Sequence, residues 1–191
     1  MTRDQIIELQ ERVGTIPDGF WGRESIKAAR RHLKQLMPKD SPWPSPSQDE
    51  LSRHYGPPST NTFLNPSIIR IEAPSWLRLY DTEQKVKSIY CHAKVADSLL
   101  RALQAAYEQH PDVVRRYFGC HVARKMRGGT KPSTHAYGAA IDLAATTNAN
   151  RSNWPLQSSM PIEVMEEFAK EGWVSAGAVW GRDAMHFQAT K

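Results

Sequence analysis

Ser133-Thr134-His135-Ala136-Tyr137-Gly138-Ala139-Ala140-Ile141-Asp142, taken with Asp183-Ala184-Met185-His186-Phe187, decides how the rest of the chain is read. The two stretches supply two imidazoles and two carboxylates in an order that suits a metal site with a proton acceptor beside it. A catalytic zinc takes three protein ligands and keeps its fourth position for water. His135, Asp142 and His186 fill the three protein positions, and Asp183, just before His186, is available as general base. Together these residues imply a metal-dependent hydrolase.

Local chemistry favours this grouping. His135 and Asp142 are an odd number of residues apart, which on an unbroken strand sends their side chains to opposite faces. The chain must bend between them for both to meet one ion, and Gly138 tolerates the dihedral angles of such a bend. Ala139 to Leu143 then reads as a short buried strand that carries Asp142. A buried carboxylate without a cation or hydrogen bonds is costly, and a metal removes that cost.

The pattern S-x-H-x-x-G-x-A-x-D followed by D-x-M-H-F resembles the zinc peptidases that cut bacterial cell-wall peptides. That family includes D-alanyl-D-alanine carboxypeptidases and phage L-alanyl-D-glutamate endopeptidases. It shares its fold with the amino-terminal signalling domain of hedgehog proteins. The resemblance covers residues 55–191 and implies an α+β catalytic domain holding one Zn2+ per chain. The implied ligands are His135, Asp142 and His186, with Asp183 as catalytic acid/base. The run Ala123 to Gly129 is similar to the phage branch, where an upstream arginine holds substrate or oxyanion; Arg124 or Arg127 takes that role. Ser133 is either a structural hydroxyl or a substrate contact, and Tyr137 is either a cleft wall or packing. Trp180 and Phe187 are expected to pack around the metal.

The amino terminus offers a second resemblance. Ile6, Leu9 and Val13 recur at helical spacing, as do Ile26, Ala29, Leu33 and Leu36, around the turn Pro17 to Ser25. L-Q-E-R-V-G followed by P-D-G-F-W-G-R-E-S is similar to the small helical peptidoglycan-binding domain that accompanies wall hydrolases. The resemblance implies Asp18, Phe20 and Trp21 as wall contacts. The competing reading has Phe20 and Trp21 merely closing a helical hairpin. The expected organisation is a small all-α domain over residues 1–37, extending to about residue 54 if a helix at 48–54 belongs to it. A proline-rich linker at 38–56 and a catalytic domain at 57–191 follow.

Composition agrees with this division. The chain has 191 residues, enough for one good core and a small satellite. Its charge of +5 favours an anionic wall. Such a charge suits nucleic acid as well, but that partner rests on charge alone and is not expected. No apolar run reaches the roughly 20 residues of a membrane span, and the first residues lack a secretory apolar core. The family habit then implies a phage lysin: a monomer held in the host cytoplasm until lysis, with bacterial peptidoglycan as its partner. The bond cut stays open between the L-alanyl-D-glutamate link, terminal D-alanyl-D-alanine and a cross-bridge. A zinc-stabilised binding module without turnover is the non-enzymatic alternative, and the presence of Asp183 counts against it.

Among the remaining elements, a long core helix is predicted from Val86 through Tyr107, containing Cys91. Strands are predicted at Val113–Phe118 and Met185–Gln188, and a helix from Pro161 to Lys170 ended by Gly172. The two cysteines, Cys91 and Cys120, are expected as free thiols.

Overall fold

The computed structural model describes residues 1–58 and 65–191. Among these the fold is α+β, with seven α-helices and two sheets. The larger sheet has the order β2 (Arg78–Leu79), β4 (Arg116–Gly119), β5 (Ala140–Leu143), β7 (His186–Gln188), β6 (Val174–Ser175). Only β2 and β4 run parallel. A separate antiparallel ribbon joins β1 (Ile68–Glu72) to β3 (Ser88–His92).

Central strand β5 is buried at all four positions, as its sequence Ala-Ile-Asp-Leu suggests. One sheet face is closed by α6 (Ile162–Lys170), whose Phe168 stacks on Phe187 with ring centroids 4.2 Å apart. Helix α4 (Ala96–Gln109) packs against α6, burying Leu99, Ala102, Leu103 and Ala106. Gly172 takes a left-handed φ of +80° just beyond α6, as expected of a helix stop.

Two predicted elements differ. The helix expected from Val86 begins ten residues later, at Ala96. Residues Ser88–His92 instead form β3, with Ile89 and Cys91 facing inward at strand spacing. The same apolar residues satisfy both periods, and pairing with β1 selects the strand. The strand expected at Val113–Phe118 is split. Pro111–Val114 make a short helix, α5, whose proline sits in the first turn, and pairing starts only at Arg116.

Helix α1 (Arg3–Arg12) starts in a reciprocal cap between Thr2 and Gln5. Helix α2 (Arg23–Leu36) buries Ala28, Ala29 and Leu33. Both pack onto the sheet-bearing part: Trp21 meets Trp154 edge-on at 5.4 Å, and Arg12 makes two hydrogen bonds of 2.8 and 2.7 Å to Glu166. The hydrophobic core is continuous from Ile6 to Phe187.

Within the proline-rich span, Trp43 is buried and donates to the Glu171 carbonyl at 2.9 Å. Residues Gln48–Tyr55 form α3, capped by Ser47, and Tyr55 donates to the Ala189 carbonyl at 2.7 Å. Helix α3 therefore sits against the end of the sheet. No helix of the described residues is long and apolar enough to cross a membrane.

Candidate metal centre

Strands β5 and β7 run antiparallel with Ile141 opposite Phe187 and Asp142 opposite His186. Directly opposed residues share a face, and successive residues alternate. Ile141 and Phe187 therefore turn toward the helices, while Asp142 and His186 turn together to the other side. His135 reaches the same point from a 3-10 turn, Thr134–Tyr137. Gly138 ends that turn at a φ of +66°, and a Cβ there would lie 2.6 Å from the backbone nitrogen of His92. A bend glycine between the two ligands is required both by its dihedral and by the close approach of β3.

The three side chains converge on one point. Asp142 Oδ1 is 2.9 Å from His186 Nδ1 and 3.2 Å from His135 Nε2, and the two nitrogens are 3.1 Å apart. Donors on a tetrahedral ion with bonds of about 2.0–2.1 Å stand roughly 3.3 Å from one another. The cluster is close to that size, and all three residues are buried.

The outer ring nitrogens hold the imidazoles in the matching tautomers. His135 Nδ1 donates to the Cys120 carbonyl at 2.6 Å, and His186 Nε2 donates to Gln188 Oε1 at 3.1 Å. Each inner nitrogen thus keeps its lone pair for the shared point. Gln188 is fixed in turn by the Thr134 hydroxyl at 2.9 Å and by donating to Thr190 at 2.8 Å. Burial opposes ionisation of Asp142, but the two imidazoles beside it favour the charged form and override that penalty. Its carboxyl falls well below the ordinary range. The donor types, their spacing and their outer partners fit a single zinc ion.

Asp183 stands over this cluster with a left-handed φ of +61°, a sparsely populated conformation for a residue with a side chain. Its Oδ1 is buried without a hydrogen-bond partner among the described residues. Burial, with a smaller contribution from Asp142, raises its pKa. A carboxylate held back from water and left unpaired is suited to taking up a proton.

The cleft above the cluster measures about 220 Å³. Arg124 and Arg127 both line it, so both arginines raised by the sequence reach the site. Arg182 joins them. It was missed because it lies outside the ligand pattern, although its place directly before Asp183 was a usable signal. Asn150 also lines the cleft, and no sequence motif marks it. Ser133 faces the cleft while its hydroxyl accepts from the His135 amide at 3.4 Å. Trp180 lies over His186, centroids 5.6 Å apart and planes at 21°.

Other expected residues sit elsewhere. Phe187 packs on the helical face of the sheet instead of around the cluster. Tyr137 is buried against α3, donating to Gln48 Oε1 at 3.0 Å, and does not line the cleft. Of the amino-terminal trio, Asp18 accepts from Gln10 and from the Phe20 amide, both at 2.8 Å, and shapes the turn. Trp21 is buried in the core, whereas Asp18 and Phe20 are exposed. Cys91 and Cys120 are free and buried, and burial pushes the Cys91 thiol up to about 12.

No curated protein and no solved structure matches this chain. A family model does match, over residues 127–189, and its description is D-alanyl-D-alanine carboxypeptidase. The matched span contains the three converging ligands, Asp183, Arg127 and Arg182. Over these residues the chain is similar to the D-alanyl-D-alanine carboxypeptidases, zinc metallopeptidases that act on peptidoglycan.

Proposed function

We propose that this protein is a zinc peptidase that hydrolyses a stem-peptide bond of bacterial peptidoglycan. The carrying observation is the convergence of His135 Nε2, Asp142 Oδ1 and His186 Nδ1 within 3.2 Å beneath the unpaired carboxylate of Asp183. Zinc, when bound, supplies the Lewis acidity that makes water a nucleophile near neutral pH. Asp183 accepts the proton of the attacking water and passes it to the departing amine. Arg127, Arg124 and Arg182 face the cleft and stabilise the negative charge that develops on the carbonyl oxygen. Trp180 covers one side of His186 and limits the access of bulk water. A binding module without turnover has no need of a strained, unpaired carboxylate at this position.

The finer reading is an L-alanyl-D-glutamate endopeptidase of a phage lysin, released from the host cytoplasm at lysis. Its support is the similarity of residues 123–129 and of S-x-H to the phage branch. The description of the matching family model favours a second reading, removal of terminal D-alanine. Mass spectrometry of muropeptides from purified sacculi, with and without chelator, separates the two. New L-alanine carboxyl and D-glutamate amino ends, absent under chelation, are expected. Free D-alanine would select the carboxypeptidase, and an unchanged muropeptide profile would refute peptidase activity.

A further inference from the structure

The sheet face that carries the metal ligands continues past them. Gln188 follows His186 on the same face, and Val174 on edge strand β6 lies directly opposite Gln188. Beyond that edge a groove of about 810 Å³ opens, within the range of sites that take sizeable ligands. Val174, Val179 and Gln188 line it on the sheet side, and Met37 and Pro38 on the other. The groove therefore has one wall from each end of the chain.

Trp180 ties the groove to the catalytic cleft. It lines both, half exposed, with its ring laid against His186. A chain lying across Trp180 reaches from one depression into the other without leaving the surface. The outer wall is cationic. Arg30 and Lys34, four residues apart on α2, share one helix face, and Lys39 follows on the segment beyond it. No Asp or Glu side chain lines the groove among the described residues.

We propose that this groove is an extended substrate subsite, built by α2 and the proline-rich segment, that binds the carboxylate-bearing stretch of an acidic peptide whose scissile bond lies at the metal cluster. Continuity with the cleft requires that the occupant be part of the cleaved molecule, and the charge requires that it be anionic. The apolar lining suits a peptide's alkyl groups beneath its carboxylates. Helix α2 and the segment after it then select substrate directly instead of only retaining the enzyme on the wall. This inference rests on the peptidase reading above.

The test uses the zinc-loaded full chain and the stem pentapeptide L-alanyl-γ-D-glutamyl-L-lysyl-D-alanyl-D-alanine, with carboxylates free or amidated. Cleavage is followed by mass spectrometry, and binding by anisotropy of a fluorophore on the lysine side chain. Arg30→Glu combined with Lys34→Glu should raise KM for the acidic peptide about tenfold with kcat held within about twofold. The preference for the acidic over the amidated form should shrink by the same factor, and Lys34→Gln alone should give a smaller shift in the same direction. An unchanged KM for both peptides overturns the groove assignment and leaves the peptidase reading standing. Should the wild-type chain cleave neither peptide, the peptidase reading fails and anisotropy decides the groove. Affinity for the acidic form that falls about tenfold on charge reversal then keeps an acidic-peptide groove but overturns its role as a subsite for cleavage, whereas equal or absent binding overturns both.

Discussion

Asp142 and His186 stand directly opposite each other on β5 and β7, with Oδ1 and Nδ1 2.9 Å apart. Their shared sheet face is a consequence of register: a slip by one residue would set Phe187 against Asp142 and turn His186 to the helical side. The metal centre is thus secured by the same hydrogen-bond ladder that secures the core. It also explains why residues 44 positions apart in sequence behave as one site.

Metal binding and turnover should separate by substitution. Asp142→Asn is expected to lose bound zinc, measured by elemental analysis after dialysis. Asp183→Asn should retain one zinc per chain while kcat drops by about 10²- to 10⁴-fold. Loss of zinc from the Asp183 variant would make Asp183 a ligand and not the base.

Gln188 would act on a bound metal only through His186. Gln188→Ala removes the acceptor for His186 Nε2 and frees the Thr134 hydroxyl. Zinc affinity should weaken by about 10- to 100-fold, the usual effect of losing an outer partner of a ligand. Competition with a chromogenic chelator reads this out, and undiminished affinity would show that packing alone orients the imidazole.

Gly138→Ala should be severely destabilising. The new methyl would lie 2.6 Å from the His92 backbone nitrogen at a left-handed φ of +66°. A loss on the order of 3 kcal/mol is expected in urea unfolding. A loss below about 1 kcal/mol would mean that β3 yields easily.

Glu166 couples the amino-terminal helices to α6, and its pH dependence has a definite sign. Burial opposes its charge, but hydrogen bonds from Arg12 and His32 prevail and hold its pKa below the ordinary 4.5. Its contribution is therefore complete above pH 4.5 and disappears as pH falls through the lower folded value. Thermal melts should show the transition falling in that acidic window, and Glu166→Gln should flatten the dependence there. An identical slope in the variant would assign acid sensitivity to other carboxylates.

How the site became legible depends on which interactions are local. His135, Gly138 and Asp142 lie in one turn and strand, so spacing and chemistry sufficed to group them. His186 and Asp183 joined through residue type and order. The helix expected from Val86 failed because apolar positions 89, 93 and 96 fit a helix while 89 and 91 fit a strand. Only the long-range partner β1 separates the two. Tyr137 and Trp21 are aromatic residues beside functional motifs, and sequence has no term for the direction in which such a side chain packs.

By itself, therefore, the sequence determined the ligand chemistry, the bend between the first two ligands, the α+β class and the two ends of α6, at Pro161 and Gly172. These rest on backbone preferences and on periodicities that extend over a few residues. Tertiary structure alone decided the pairing that sets Asp142 against His186, the convergence of Arg124, Arg127 and Arg182, and the docking of α2 beside the sheet edge. Those depend on burial shared between segments distant in the chain. No local preference carries that information, because each segment alone satisfies more than one pairing.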